Sequence, residues 1–443
     1  MKENKFNFNG LFVLDLANNH QGIFEHGKKI INELAKITEK EEIRAVIKFQ
    51  FRDLDTFIHP DFKTKKDIKH IPRFLSTELK VDEFEKLHEI AKKQGFITAC
   101  TPFDEISVQR IMDIGFDIIK IASCSAKDWP LLEEVAKTGK PVICSTAGLS
   151  IKDIDNIASF FDHRLVHYAL MHCVAIYPTP PSKLQLNQIE SLRKRYPHTA
   201  IGFSTHESPD NLDAVKIAVA KGASIFERHV GIATDEIKLN DYSSTPAQIK
   251  NWIHSYKEAL VYCGAVNRPP VDHAEGDSLA SLMRGCYVRK KIKKNKKITR
   301  DDVFFAMPLQ EGQLTSGEWK DDLIADKDYN VNEPVAGSIR KMGLTKKDVI
   351  YQAIHEIKGM LNESRIAIGT EFNIELSHHY GIMHFYETGA TIIDCINRTY
   401  CKKIIVLLPG QKHPYHYHKR KEETFQVLAG EMDVEFEGRP KKL

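Results

Sequence analysis

The stretch LFVLDLANNHQGIFEHGKKIINELAKITEKEEIRAVIKFQ, residues 11–50, decides the fold. Its first segment, LFVLDLA (11–17), is short and apolar. Its middle, HGKKIINELAKITEK, sets apolar side chains at i, i+3 and i+4, the period of a one-faced helix. RAVIKF (44–49) then returns to the first kind. Strands without polar alternation on either side of an amphipathic helix read as one unit of a parallel sheet covered on both faces.

The unit recurs outward from there. FITACT (96–101), DIIKIA (117–122), PVICST (141–146), HYALMHC (167–173), AIGFST (200–205) and SIFERHV (224–230) bring the apolar runs to eight, with helix-compatible segments such as VDEFEKLHEIAKKQG between them. Eight units in about 250 residues match the count and size of a (β/α)8 TIM barrel, an α/β fold. An open doubly wound sheet is the competing arrangement, and the number and even spacing of the runs favour the barrel.

The barrel domain is expected over 1–265. NWIHSYKEALVYCG closes it as a helix, and VNRPPVDHAEGD, rich in Pro and charge, reads as a linker. Residues 279–342 hold short β-like runs and form a second, small lobe. TKKDVIYQAIHEIKGMLNE reads as an amphipathic helix, so 343–364 is taken as a helical connector. From 365 to 443 the runs IELSHH, IMHFYE, TIIDCIN, KKIIVLL, TFQVLAG and MDVEFEG suggest an all-β module.

Composition narrows the function. The chain has 443 residues, 63 Lys plus Arg against 60 Asp plus Glu, and a formal net charge of +3. That balance argues against a nucleic-acid coat or a polybasic membrane binder. Hydrophobic content of 42% supplies sizeable cores and excludes disorder over most of the length. No apolar run reaches the ~18 residues of a membrane-spanning helix. MKENKFNFNG lacks the apolar core of an export signal, and none of the eight cysteines forms a CxxC pair, so a reduced cytoplasmic location is expected. Arg289 to Arg300 contains eight basic residues but no interleaved aromatics, and reads as a solvated face rather than a nucleic-acid surface.

Barrel chemistry sits where strands end, at the C-terminal face. Those positions carry Asp15, Lys48, Gln50, Thr101, Lys120, Ser123, Ser145, Tyr177, Ser204, His206 and His229. Lysines with hydroxyls suit a phosphate and a carboxylate. Two neutral imidazoles on adjacent strands can share a divalent metal. A metal beside an anion site points to Lewis-acid activation of a carbonyl next to a phosphorylated donor. Taken singly, each residue has a bland reading: a solvated lysine, a Ser–Thr turn, a hydrogen-bonded structural histidine. Their joint fall at strand ends is the signal.

In this order LDLANNHQG, IKFQ, TPF, KIAS, STAG, HCVAIYPTP, IGFSTHE and FERHV resemble the N-acetylneuraminate (sialic acid) synthase family over about residues 11–250. The lobe at 279–342 resembles the antifreeze-protein-like (SAF) domain that such synthases carry. The resemblance implies a metal-dependent condensation of phosphoenolpyruvate with an aldose such as N-acetylmannosamine, giving a 2-keto-3-deoxy sugar acid and phosphate. It implies a divalent metal, commonly manganese, and a domain-swapped homodimer. It makes His206 and His229 the metal ligands. It gives the donor to Lys48, Thr101, Lys120, Ser123, Ser145 and Ser204, and the sugar to Gln50, Tyr177 and Asp241, with Asn240 competing for that last role.

The chain departs from the family where the sugar would lie. Asp15 stands where the family has Glu, Ser125 where it has a sugar-contacting Glu, and Ala175 where it has Asn. Met307, not Arg, precedes Pro308. Donor and metal residues survive, so an altered acceptor is expected. The alternative is a catalytically weak sugar-binding or regulatory protein.

Gly410, His416, His418, Glu423 and Gly430 keep the spacing of the first cupin motif, and the module resembles the cupin superfamily. His416, His418 and Glu423 would then form a second metal site. The second cupin motif is missing, so the module is expected to be incomplete, either cut short or completed by a partner.

Overall fold

A computed structural model describes residues 6–65, 67–321, 323–340, 345–369, 373–417, 419–420 and 423–442. The chain divides into two compact units, Met1–Pro269 and Pro270–Leu443.

In the first unit β1 (Leu11–Asp15), β2 (Arg44–Phe51), β3 (Ile97–Pro102), β4 (Ile118–Ile121), β5 (Val142–Ser145), β6 (Tyr168–Cys173), β7 (Ala200–Thr205) and β8 (Ile225–His229) form a closed barrel in sequence order. Every pairing is parallel, and β8 closes onto β1 with Asp15 opposite His229. The outer layer is built by helices α1 (Phe24–Lys40), α2 (Val81–Lys93), α3 (Glu105–Ile114), α4 (Trp129–Lys137), α5 (Ile151–His163), α6 (Asn187–Arg195), α7 (Asp213–Ala220) and α8 (Pro246–Cys263). Asp104, Asp128, Ser150 and Thr245 accept backbone N–H groups at the starts of α3, α4, α5 and α8, satisfying donors that a helix end leaves unpaired.

Two cores explain why the strands read as unbroken apolar runs. Phe12, Leu14, Ile47, Phe49 and Phe226 belong to the layer between strands and helices. Leu11, Val13, Val46, Ala99, Ile118, Ile143, Ala169, Met171 and Ile225 plug the barrel interior. Gly202 makes room there, because a Cβ would meet the carbonyl oxygen of Ile225 at 2.7 Å. Side chains alternate along a strand with period two. Stepping up by two from the plug therefore leads to Asp15, Lys48, Gln50, Thr101, Lys120, Ser145, Ser204, Glu227 and His229. The apolar plug below them makes that end of the barrel the place where polar side chains converge.

In the second unit β9 (Gly285–Val288) pairs with β11 (Val303–Ala306), and β10 (Lys297–Ile298) with β12 (Leu323–Ile324), all antiparallel. Cys286, Val288, Ile298, Val303, Leu314 and Val335 form their core. The basic stretch is partly neutralised: Lys290 is 2.7 Å from Asp302 and Lys293 is 2.8 Å from Asp328. A helix, Lys346–Glu363, is capped by Thr345 and packs Val349, Ala353, Ile357 and Leu361 with Phe385, Ile393 and Val406. β13 (Asn373–His378), β14 (Gly389–Asn397) and β15 (Cys401–Val406) form one antiparallel sheet, and β16 (Asp433–Phe436) and β17 (Arg439–Lys442) a hairpin.

Two expected strands are corrected. Within IMHFYE, Ile382–His384 is a 3-10 turn that follows Gly381 at φ 92, and Phe385 is drawn into the helix-facing core. TFQVLAG holds no regular strand; it ends at Gly430 with φ 78.

Candidate active site

Glu227 is the centre of the barrel mouth. Its carboxylate accepts from the Lys48 ammonium, and its Oε2 is 3.2 Å from Lys120 Nζ. Asp15 Oδ2 is 2.9 Å from Lys48 Nζ and accepts from Gln50 Nε2 at 3.3 Å. Lys120 donates to Ser145 Oγ at 2.6 Å. Ser204 stands opposite Glu227 in the pairing of β7 with β8 and helps keep its carboxylate charged. Ser123 Oγ accepts from the Ala147 N–H at 3.0 Å, tying the end of β4 to that of β5. Asp15, Lys48, Lys120 and Glu227 are all buried.

Charge fixes charge here. Burial works against the Lys48 ammonium, but the Asp15 and Glu227 carboxylates outweigh it and raise its pKa. Burial likewise disfavours the Glu227 carboxylate, yet Lys120 and Lys48 hold it well below the usual carboxylate range. The Lys48 ammonium therefore persists through neutral pH. Each ammonium has three N–H donors, so capacity for further acceptors remains after these contacts. Thr101 Oγ1 is buried with no hydrogen-bond partner among the described residues, which suits a polar ligand.

The two candidate metal ligands stand together. The ring centroids of His206 and His229 are 5.3 Å apart. His206 Nδ1 is 3.0 Å from the Val174 carbonyl oxygen; donating there leaves Nε2 as a lone pair. Burial, then the neighbouring His229, lowers the His206 pKa to about 4. Burial also lowers that of His229, whose Nδ1 is 3.5 Å from Asp15 Oδ2. Two neutral imidazoles fit a divalent transition ion. No group of three or more His, Cys, Asp or Glu arranged for a metal occurs among the described residues, so water or substrate oxygens would complete the coordination.

The Tyr177 ring lies 4.2 Å from the His206 ring, tilted by 50°. Asp241, the other expected sugar contact, is exposed on the loop between β8 and α8. Its neighbour Tyr242 instead stands 5.2 Å from His229 and 6.1 Å from His206, ring to ring. Neither Tyr242 nor Glu227 has a role assigned from sequence, although Glu227 is visible at the end of its strand run. Period-two alternation with His229 would have found Glu227; Tyr242 depends on the course of a loop.

Of the cupin-like residues, His418 lies outside the described residues. His416 Nε2 is 4.0 Å from Glu423 Oε2, and its ring is 4.9 Å from that of His413.

A family model described as the NeuB family matches residues 38–267. N-acetylneuraminate-9-phosphate synthase of Drosophila melanogaster is 31% identical over 224 residues, 49% of this chain and 59% of the fly protein. A solved structure from Chromobacterium violaceum, assigned as a spore coat polysaccharide biosynthesis protein E, is 42% identical with a TM-score of 0.72, covering 74% of this chain and 98% of its own. N-acetylneuraminic acid (sialic acid) synthetase of Leptospira borgpetersenii, solved with citrate, is 25% identical with a TM-score of 0.54, covering 62% of this chain and 90% of its own.

Proposed function

Because this chain belongs to the NeuB family, we propose that it condenses phosphoenolpyruvate with an open-chain aldose, giving a sialic-acid-type 2-keto-3-deoxy sugar acid and phosphate. The observation that carries this reading is the buried bridge of Lys48 and Lys120 across Glu227, beside Thr101, Ser145 and Ser204. Two cations with surplus donors and several hydroxyls suit a small ligand that carries both a phosphate and a carboxylate.

Lys48 and Lys120 would hold the donor's phosphate and carboxylate and offset their charge as the reaction proceeds. C3 of the enol ester attacks the aldehyde carbon, forming the new C–C bond. Water adds to the resulting cation at C2, and its released proton satisfies the new alkoxide. The C2 hydroxyl proton then leaves with the phosphate as the ketone forms. His206 and His229 would hold a divalent cation, manganese in this reading, which when bound supplies Lewis-acid polarisation of the aldehyde oxygen. Gln50 and Tyr177, with Tyr242, would line the acceptor side. Ser125 and Ala175 leave that side with one carboxylate and one amide fewer than the family pattern, which favours an aldose other than N-acetylmannosamine.

The test is phosphate release from phosphoenolpyruvate with a panel of N-acylated and non-acylated aldoses in the presence of manganese. Release with at least one aldose is expected; none with any would overturn the reading in favour of a binding protein.

A further inference from the structure

Arg52 follows β2 directly, two residues beyond Gln50 and four beyond Lys48. Its guanidinium is gripped by two rings: Cζ is 3.6 Å from the Phe103 centroid and 4.2 Å from that of Phe74. Phe103 follows β3, and Phe74 lies on the short helix Ile71–Ser76. Guanidinium stacking on aromatic faces lowers the cost of removing the cation from water. Arg52 Nε is buried and has no hydrogen-bond partner among the described residues. Burial lowers the guanidinium to about 10, so it stays charged at neutral pH.

What this held cation does is visible in its side-chain hydrogen bond to Gln50. Arg52 Nη2 donates to Gln50 Oε1 at 3.3 Å. Gln50 Nε2 in turn donates to Asp15 Oδ2 at 3.3 Å, the same oxygen that lies 2.9 Å from Lys48. A glutamine amide has one accepting and one donating end. Turned over, it would set its NH2 against a guanidinium and its oxygen against a carboxylate, and both contacts would be repulsive. The flanking charges of Arg52 and Asp15 therefore permit one amide orientation.

We propose that Arg52 is a positioning residue that clamps the Gln50 amide against Asp15 and thereby sets how the acceptor sugar is held. The sugar part of this inference rests on the reaction proposed above; the clamp itself does not.

Arg52→Met, Gln50→Ala and the double variant test it. Arg52→Met is expected to raise the acceptor KM about tenfold, the cost of about one lost hydrogen bond, with the phosphoenolpyruvate KM nearly unchanged. Added to Gln50→Ala, it is expected to raise the acceptor KM no further, since residues acting through one another are not additive. Arg52→Lys keeps the charge but not the stacked fork, and should behave like Arg52→Met; it also serves if the methionine variant does not fold. In a crystal structure of either Arg52 variant, Gln50 Nε2 should leave hydrogen-bond distance of Asp15. Additive effects on the acceptor KM, or a Gln50 that keeps its contact with Asp15, would overturn the clamp. If the unmodified chain turns over no aldose, the reaction assignment fails, and the position of Gln50 in the variant crystal still decides the role of Arg52.

Discussion

Glu227 and Lys120 face each other across the barrel mouth with 3.2 Å between Oε2 and Nζ, each 3% exposed. Because Glu227 also binds Lys48, whose second partner is Asp15, one carboxylate is shared by two buried ammonium groups. Replacing it by an amide of the same shape leaves both cations undercompensated, a change that costs about 3–5 kcal/mol when one partner of a buried pair is removed. Glu227→Gln should lower the melting temperature. Added phosphoenolpyruvate should then raise it by more than in the unmodified protein, since an anion that binds only the folded state replaces the missing charge. Thermal shift with and without the donor checks this, and equal shifts in both proteins would count against an anion site at these lysines.

His206 is anchored through Nδ1 on the Val174 carbonyl, so its ring is aimed before any ligand arrives. His206→Ala should abolish manganese binding in a calorimetric titration and lower turnover by roughly 100-fold or more, since even loss of an outer-shell partner of a metal ligand typically costs about 10–100-fold. Full activity without that imidazole would break the metal assignment.

The barrel was legible because both faces of its strands are covered. AIGFST at 200–205 coincides with β7, and the other seven runs overlap their strands with ends displaced by one or two residues. Site positions were legible for the same reason, as strand ends need no knowledge of loops. Glu227 stands at the end of its run, two residues before His229, but the sequence assigns it no role. Tyr242 could not be read, because only the path of the loop after β8 brings it to the histidines. The C-terminal module was read less well. Its strands are half exposed, so burial on two faces does not discipline the pattern, and IMHFYE became a turn because Phe385 is needed under the helix.

His20 gives the first unit a pH dependence. It is buried, accepts the Gly22 N–H through Nδ1 at 3.0 Å and meets the edge of Phe84. Burial, aided by His26 and Arg73, lowers its pKa to about 4. The unfolded chain takes up this proton near pH 6.5, so stability is full above that value and falls as the pH drops toward about 4, by up to about 3 kcal/mol. His20→Asn keeps an acceptor for Gly22 and removes the titration. Other buried imidazoles contribute to the slope in both proteins, so the expected result is a smaller loss of melting temperature between pH 7.5 and 5 in the variant. Parallel curves would show that His20 does not supply the difference.

Ser125 closes the 3-10 turn Ser123–Ser125 just beyond β4, buried near the strand end that carries Lys120. The family pattern puts a carboxylate at this position, and one hydrogen bond from a sugar hydroxyl to a charged acceptor is worth about 1.5–3 kcal/mol. Ser125→Glu should therefore raise kcat/KM for N-acetylmannosamine about tenfold or more relative to the other aldoses of the panel. The KM for phosphoenolpyruvate should stay nearly constant, because the donor is assigned to the lysines and hydroxyls rather than to this turn. Side-by-side kinetics of the two proteins over the same panel provide the check. An unchanged substrate profile in a folded variant would mean that position 125 does not read the acceptor.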